Sequence, residues 1–316
     1  MIGLIENEMI KIFRRPGTYV MLGLLIIVIA IAGVTMKYNI GNMEDNDPQW
    51  KQNLQMENDA LKRQMESEKG QSGMNEYYKE SIARNEYRIE HDLPPLEAYT
   101  IWSFVSDISQ MIDFVGIFII TIAAGIVASE FNWGTIKLLL IRPISRAKIL
   151  TSKYITVFLF GLLMLTITFL LSGILGAILF GFPDKPTPYL LYQEGVVSEL
   201  PIGLYLIVYY CLKSINMVML VTMAFMMSAV FRNSSLAIGL SIFLMFMGGN
   251  VTQLLAVKYE WAKYILFANT NLMQYFEGRP MIEGMSLSFS VVMLLLYFCL
   301  FIGLAYYVFK KRDITA

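Results

Sequence analysis

The chain has 316 residues, 56% of them hydrophobic and only 16% charged, with 25 basic residues balancing 25 acidic ones. That ratio excludes a soluble domain, which has too much polar surface to cover. A single histidine excludes the paired-histidine zinc-protease pattern, and the two cysteines fall within apolar runs, so neither a metal site nor a structural disulfide is expected.

Six apolar runs have the length a bilayer span needs: 19–36, 105–128, 154–180, 204–230, 236–257 and 287–309. The expected fold class is an all-α polytopic membrane protein. It has six transmembrane helices, an N-terminal interfacial helix, an extracellular helical hairpin and both termini in the cytoplasm.

Residues 1–18 open the chain. In "MIGLIENEMIKIFRR", Ile5, Met9, Ile12 and Phe13 share one helical face, with Glu8, Lys11 and Arg15 on others. This predicts a helix lying in the membrane interface, ended by Pro16 and Gly17. The run 19–36 is long and no small-residue cleavage site follows it, so it is expected to remain as the first span.

The segment 37–104 is the largest polar block. Asp47 can cap a helix with Pro48 in its first turn, and Trp50, Leu54, Leu61 and Met65 form a helical seam. "GQSG" at 70–73 interrupts it. A second helix over 74–91 carries Met74, Tyr78, Ile82 and Ile89, and Pro94 and Pro95 end it. An antiparallel helical hairpin results, with 13 acidic and 8 basic residues between 37 and 100. It serves either as a docking site for a substrate or external partner or as a solvated spacer.

Two ionisable residues fall at membrane depth, Asp113 in the second span and Lys213 in the fourth. Their matched depth and opposite sign predict an intramembrane polar pair near a translocation path. The alternative is a snorkelling Lys213 with Asp113 in the headgroup zone. Within the fifth span, Gly248, Gly249, Asn250 and Gln253 favour helix packing over substrate contact.

Between the second and third spans lies 129–153, "SEFNWGTIKLLLIRPISRAKILTSK". Phe131 to Ile141 can form a short helix that the residue before Pro143 stops. Ser145 can cap the next helix, which runs through Arg146 and Lys148 into the third span. The remaining connections are 181–203, 231–235, 258–286 and the tail 310–316. Of these, 258–286 is apolar but interrupted by Asn269 and Asn271, which predicts a pair of short re-entrant or interfacial helices.

Charge orients the chain. With the N-terminus inside, the inner segments hold 12 basic and 4 acidic residues and the outer ones 12 basic and 19 acidic. Short cytoplasmic loops carry such a lysine and arginine excess.

The 129–153 loop has the pattern E-x₃-G-T-x₃-L-L-x₃-P-x-S-R-x₃-L-x₂-K. It is read at Glu130, Gly134, Thr135, Leu139, Leu140, Pro143 (one place early), Ser145, Arg146, Leu150 and Lys153. This resembles the loop between spans two and three of the ABC-2 permease family. The likeness extends to the N-terminal helix, the six spans, the outer loop after the first span and "FANTNLMQYF", and the layout is similar to bacterial sodium-export and bacitracin-resistance permeases. It implies that Glu130, Trp133, Gly134, Thr135, Lys137, Arg142, Pro143, Ser145, Arg146 and Lys148 couple the chain to an ATPase. It also implies a dimeric cytoplasmic ATP-binding-cassette subunit and a second permease copy or paralogue as partners, within membrane lipid and without nucleic acid.

The chain contains no Gly-Lys dipeptide and hence no phosphate-cradling G-x₄-G-K-[ST] loop, so ATP hydrolysis belongs to a separate subunit. No cofactor is expected, and the chain itself is not expected to be an enzyme. The expected function is the permease of an ABC-2 type exporter, carrying an amphipathic substrate such as an antibiotic or peptide across a bacterial plasma membrane. The alternatives are an antimicrobial-peptide sensing and resistance complex without bulk transport, and a secondary transporter.

Overall fold

The computed structural model describes residues 1–40, 49–67, 72–94, 99–135, 144–183, 188–193, 195–231, 233–276 and 280–311. Among these, six helices are long and apolar enough to cross a membrane. The protein is thus a multi-pass, predominantly helical membrane protein.

Helix α1 (Ile2–Phe13) is followed by α2 (Pro16–Ile40). Proline starts the second helix because its missing N–H would have no helical partner there anyway. The Thr18 hydroxyl donates to the Ile12 carbonyl at 2.6 Å, which satisfies an end of α1 and sets the bend. Helices α3 (Trp50–Ser67) and α4 (Ser72–Glu90) form an antiparallel hairpin. Lys51–Asp92 at 2.6 Å, Asn58–Asn85 at 3.0 Å and Lys62–Glu86 at 3.1 Å tie its arms in opposite order. Leu54, Tyr78 and Ile82 are buried in its seam. The proposed cap at Asp47 and Pro48 lies outside the described residues.

The second apolar run is not one helix. It breaks into α5 (Ile101–Ser109) and α6 (Ile112–Asn132) at Gln110 and Met111. Helix α6 is the centre of the bundle: Ile119, Ile120, Ala123, Ala124, Val127 and Ala128 are all fully buried. Its buried alanines let neighbouring helices approach closely. Phe131, the expected start of a separate helix, belongs instead to α6. Helix α6 continues through Asn132, and Gly134 at φ +69° turns the chain off it. Residues 136–143 lie outside the described residues.

Helix α7 (Arg146–Phe180) has 35 residues and so runs about 52 Å, well beyond the roughly 30 Å of hydrocarbon. Ser145 caps it by accepting from the Lys148 N–H at 3.4 Å, as its position before the third span predicts. Gly176 admits α5: a Cβ there would lie 3.2 Å from the Ile101 and Phe104 side chains.

The segment 181–203 departs from the expected plain loop and from an all-α architecture. Strands β1 (Pro188–Gln193) and β2 (Val196–Pro201) pair antiparallel, with Gln193 opposite Val196 and Gly195 at φ +86° in the turn. Tyr189 stacks on Tyr205 at 3.5 Å, and the Tyr87 hydroxyl donates to Glu199 at 3.3 Å, so this β-hairpin joins α4 to the next long helix.

That helix is α8 (Ile202–Phe231), and α9 (Ser234–Ala256) comes after it, with Asn233 capping α9 through the Leu236 N–H at 3.1 Å. The interrupted segment after α9 folds into short turns: a 3-10 turn at Glu260–Tyr264, helix α10 (Leu266–Asn269) and a 3-10 turn at Leu272–Tyr275. Asn269 is fully buried. Its amide donates to the Lys263 and Ile265 carbonyls and its oxygen accepts from Ser290 at 2.7 Å. The asparagine that interrupts apolarity is therefore the hub of the fold there. Gly248 packs under Phe267, whose ring would lie 2.3 Å from a Cβ at that position. Helix α11 (Leu287–Lys311) closes the bundle.

Two ends emerge. Arg146 donates to the Lys310 carbonyl at 3.1 Å and Asn132 to Ser234 at 3.2 Å. These contacts, with Thr156 on α7 donating to the Ile5 carbonyl of α1, gather α1, the end of α6, the start of α7, the start of α9 and the end of α11 at one end. The Ile101 N–H to Gly181 carbonyl bond and the Tyr87–Glu199 bond gather α5, both hairpins and the end of α7 at the other.

Candidate functional site

The first of these ends holds four charges in one cluster. Glu8 faces inward from α1, with Ile12 one turn on buried beside it. Lys153 projects from the second turn of α7, Glu130 from the last turn of α6, and Lys11 from α1. The Lys153 ammonium donates to Glu8 Oε2 at 2.7 Å and to Glu130 Oε1 at 3.0 Å, and is only 1% exposed. Lys11 reaches Glu8 Oε1 at 2.7 Å and Glu130 Oε1 at 3.2 Å. Two acids and two bases leave the cluster neutral. A lone ammonium at this burial would be expelled or neutralised; two carboxylates at hydrogen-bond distance retain it.

The surroundings extend the cluster. The Thr135 hydroxyl donates to Glu130 Oε2. Gly134, in the left-handed region, folds the chain back so that this threonine can reach the carboxylate. Thr156 on α7 donates to the Ile5 carbonyl at 3.4 Å, a second tie between α7 and α1. Burial alone pulls the Lys11 ammonium toward the neutral form, but the Glu8 and Glu130 carboxylates outweigh it and hold its pKa above the usual value.

Glu130, Gly134, Thr135 and Lys153, read from the loop pattern, are thus one contiguous site. Trp133 lies exposed beside them with the Arg15 guanidinium 5.4 Å from its ring. Ser145 caps α7, Arg146 holds the end of α11, and Lys148 is exposed. Lys137, Arg142 and Pro143 lie outside the described residues. Glu8 and Lys11 were not singled out from sequence. Glu8 lies 145 residues from Lys153, and no helical periodicity reports a pairing at that separation. The one available signal was a carboxylate one position from an apolar helical face.

The structure does not join Asp113 to Lys213. The break at Gln110 and Met111 places Asp113 in the first turn of α6, exposed, where the positive end of the helix dipole favours a carboxylate. Lys213 instead lies 5.9 Å from the ring of Tyr209 on its own helix.

In structural terms the cluster is a clamp. It fastens α1 to the end of α6 and the start of α7, next to Thr135, the last described residue before 136–143. Among the described residues no group of three metal-ligating side chains occurs.

Residues 73–315 match the family described as "Protein of unknown function (DUF2705)". The chain is 49% identical over 317 residues to "Uncharacterized protein YhcI" of Bacillus subtilis (strain 168), covering 100% of both chains. It is 32% identical over 199 residues to "Uncharacterized membrane protein YdbK" of the same organism, covering 62% of this chain and 76% of that one.

Proposed function

We propose that this chain, which belongs to the DUF2705 family, is the permease subunit of an ABC-2 type exporter, moving an amphipathic substrate with energy from a separate ATPase. The observation that carries this reading is the clamp of Glu8, Lys11, Glu130 and Lys153. It ties three helices to the root of a basic, apolar segment. A partner that pushes on 136–143 would move the Glu130 end of α6 and the Lys153 end of α7 together, and α1 with them. Ion-paired side chains with several donors and acceptors resist separation, so the three helices move as one body.

In this reading the clamp end faces the cytoplasm of a bacterial cell, as the lysine and arginine excess of 129–153 and 310–316 favours. Arg142 and Arg146 present charge, and Trp133 with Leu138 to Leu140 presents apolar surface, to a dimeric ATPase. A second permease copy or paralogue completes the assembly in the plasma membrane. The helical and β-hairpins then lie outside the cell.

The test is co-purification from the native host with a C-terminal tag in mild detergent. A roughly stoichiometric ATPase, lost on Arg142→Glu with Arg146→Glu, is the expected result. A chain that purifies alone and transports after reconstitution overturns the proposal.

A further inference from the structure

A cleft of about 310 Å³ opens at the clamp end between α2, α6 and α9. Its floor is apolar, built from Met21, Ile122 and Ile238, and Gly125 leaves room there because no atom lies within 4 Å of where its Cβ would be. Its mouth is polar, with Arg15, Asn132 and Trp133. Arg15 pairs with no carboxylate among the described residues and rests its guanidinium 5.4 Å from the Trp133 ring. The Ser129 hydroxyl also lines the cleft; the residue is 7% exposed and its oxygen has no hydrogen-bond partner.

These features call for a ligand that is anionic at one end and apolar along the other. A free anion would leave the floor unfilled, and an uncharged alkyl chain would leave Arg15 and Ser129 unmatched. The flanking faces of α2 and α9 expose Ile26, Ile27, Phe243 and Phe246, side chains that meet acyl chains in a membrane protein. We infer that the cleft is a binding site for one anionic phospholipid, with its phosphate at Arg15, an ester or headgroup oxygen at Ser129 and an acyl chain over Gly125. Arginine suits this role because its planar fork meets phosphate oxygens with two donors. The inference stands independently of the exporter reading.

Native mass spectrometry of the detergent-purified full chain tests it, by titration with phosphatidylglycerol, phosphatidylcholine or inorganic phosphate. One phosphatidylglycerol per chain should bind, on the order of fivefold tighter than phosphatidylcholine, as one cation near a headgroup provides. Arg15→Gln should abolish that preference. Gly125→Leu should block both lipids, and Lys311→Gln, at the same end, should change nothing. Should Gly125→Leu fail to fold, Arg15→Gln alone decides. Equal retention of the two lipids overturns the site, as does phosphatidylglycerol binding unchanged in Arg15→Gln. Displacement by inorganic phosphate, or a chain dimer that excludes the lipid, assigns the cleft to another occupant and overturns it equally.

Discussion

The Lys153 ammonium lies 2.7 Å from Glu8 Oε2, joining residues 145 apart in sequence across the α1–α7 contact. Removing it by Lys153→Met leaves two buried carboxylates with Lys11 alone. The expected loss is about 3–5 kcal/mol of stability, because an unpaired buried charge costs more than the pair contributes. A lowered melting temperature and loss of monodisperse protein would report it. Glu8→Leu added to Lys153→Met should recover part of the loss by removing one of the stranded acids. A single mutant that melts with the wild type would mean that the cluster is not buried in the membrane-embedded protein.

Lys11 gives the cluster a defined pH range. Its folded pKa is raised, so its stabilising contribution is complete below the ordinary lysine value of about 10.4 and fades as pH rises through the raised value. The melting difference between wild type and Lys11→Met should therefore stay constant from neutrality to about pH 9. A difference that shrinks in that interval would show that the carboxylates do not hold the ammonium.

Gly248 and Phe267 make a steric prediction. Gly248→Ala places a methyl 2.3 Å from the ring, so the ring must shift, at a cost of about 1–3 kcal/mol. Phe267→Leu should lose less in the Gly248→Ala background than in wild type, a non-additivity that a four-protein melting cycle measures.

Topology is testable by labelling. Cys211 and Cys299 are exposed on α8 and α11, helices long enough to span a bilayer. A membrane-impermeant maleimide should therefore leave both unmodified in intact membranes and label them in denaturing detergent. On a chain carrying Cys211→Ala and Cys299→Ala, Lys148→Cys and Lys311→Cys should label from one side of the membrane and Tyr77→Cys from the other. Labelling of Lys148→Cys and Tyr77→Cys from the same side would contradict the two-ended arrangement.

The long helices were legible because their signal is local. Apolar runs at 204–230 and 236–257 emerged as Ile202–Phe231 and Ser234–Ala256, and Ser145 caps α7 where its position predicted. The break at Gln110 and Met111 was missed because neither proline nor glycine marks it, although Ser106, Asp107, Ser109, Gln110 and Asp113 make the start of that run polar. The β-hairpin left a faint mark, Glu194-Gly195 between "PYLLYQ" and "VVSELP", which is a turn between strand-forming runs. Of the site, the local pattern carried Glu130, Gly134, Thr135 and Lys153. It could not supply Glu8 or Lys11, whose partners come from other helices, and it mispaired Asp113 because depth was counted from a helix start that the break moves.

Helix α7 reaches from the clamp to the opposite end without a proline between Arg146 and Phe180. Its hydrogen-bond ladder runs uninterrupted over about 52 Å. Its lower end is gripped by Glu8 and Glu130, and its upper end is seated against Ile101 through Gly176. In the exporter reading, a push at the clamp would therefore reach the opposite end through one continuous helix, with no joint between Glu8 and Ile101 other than the contacts at its two ends.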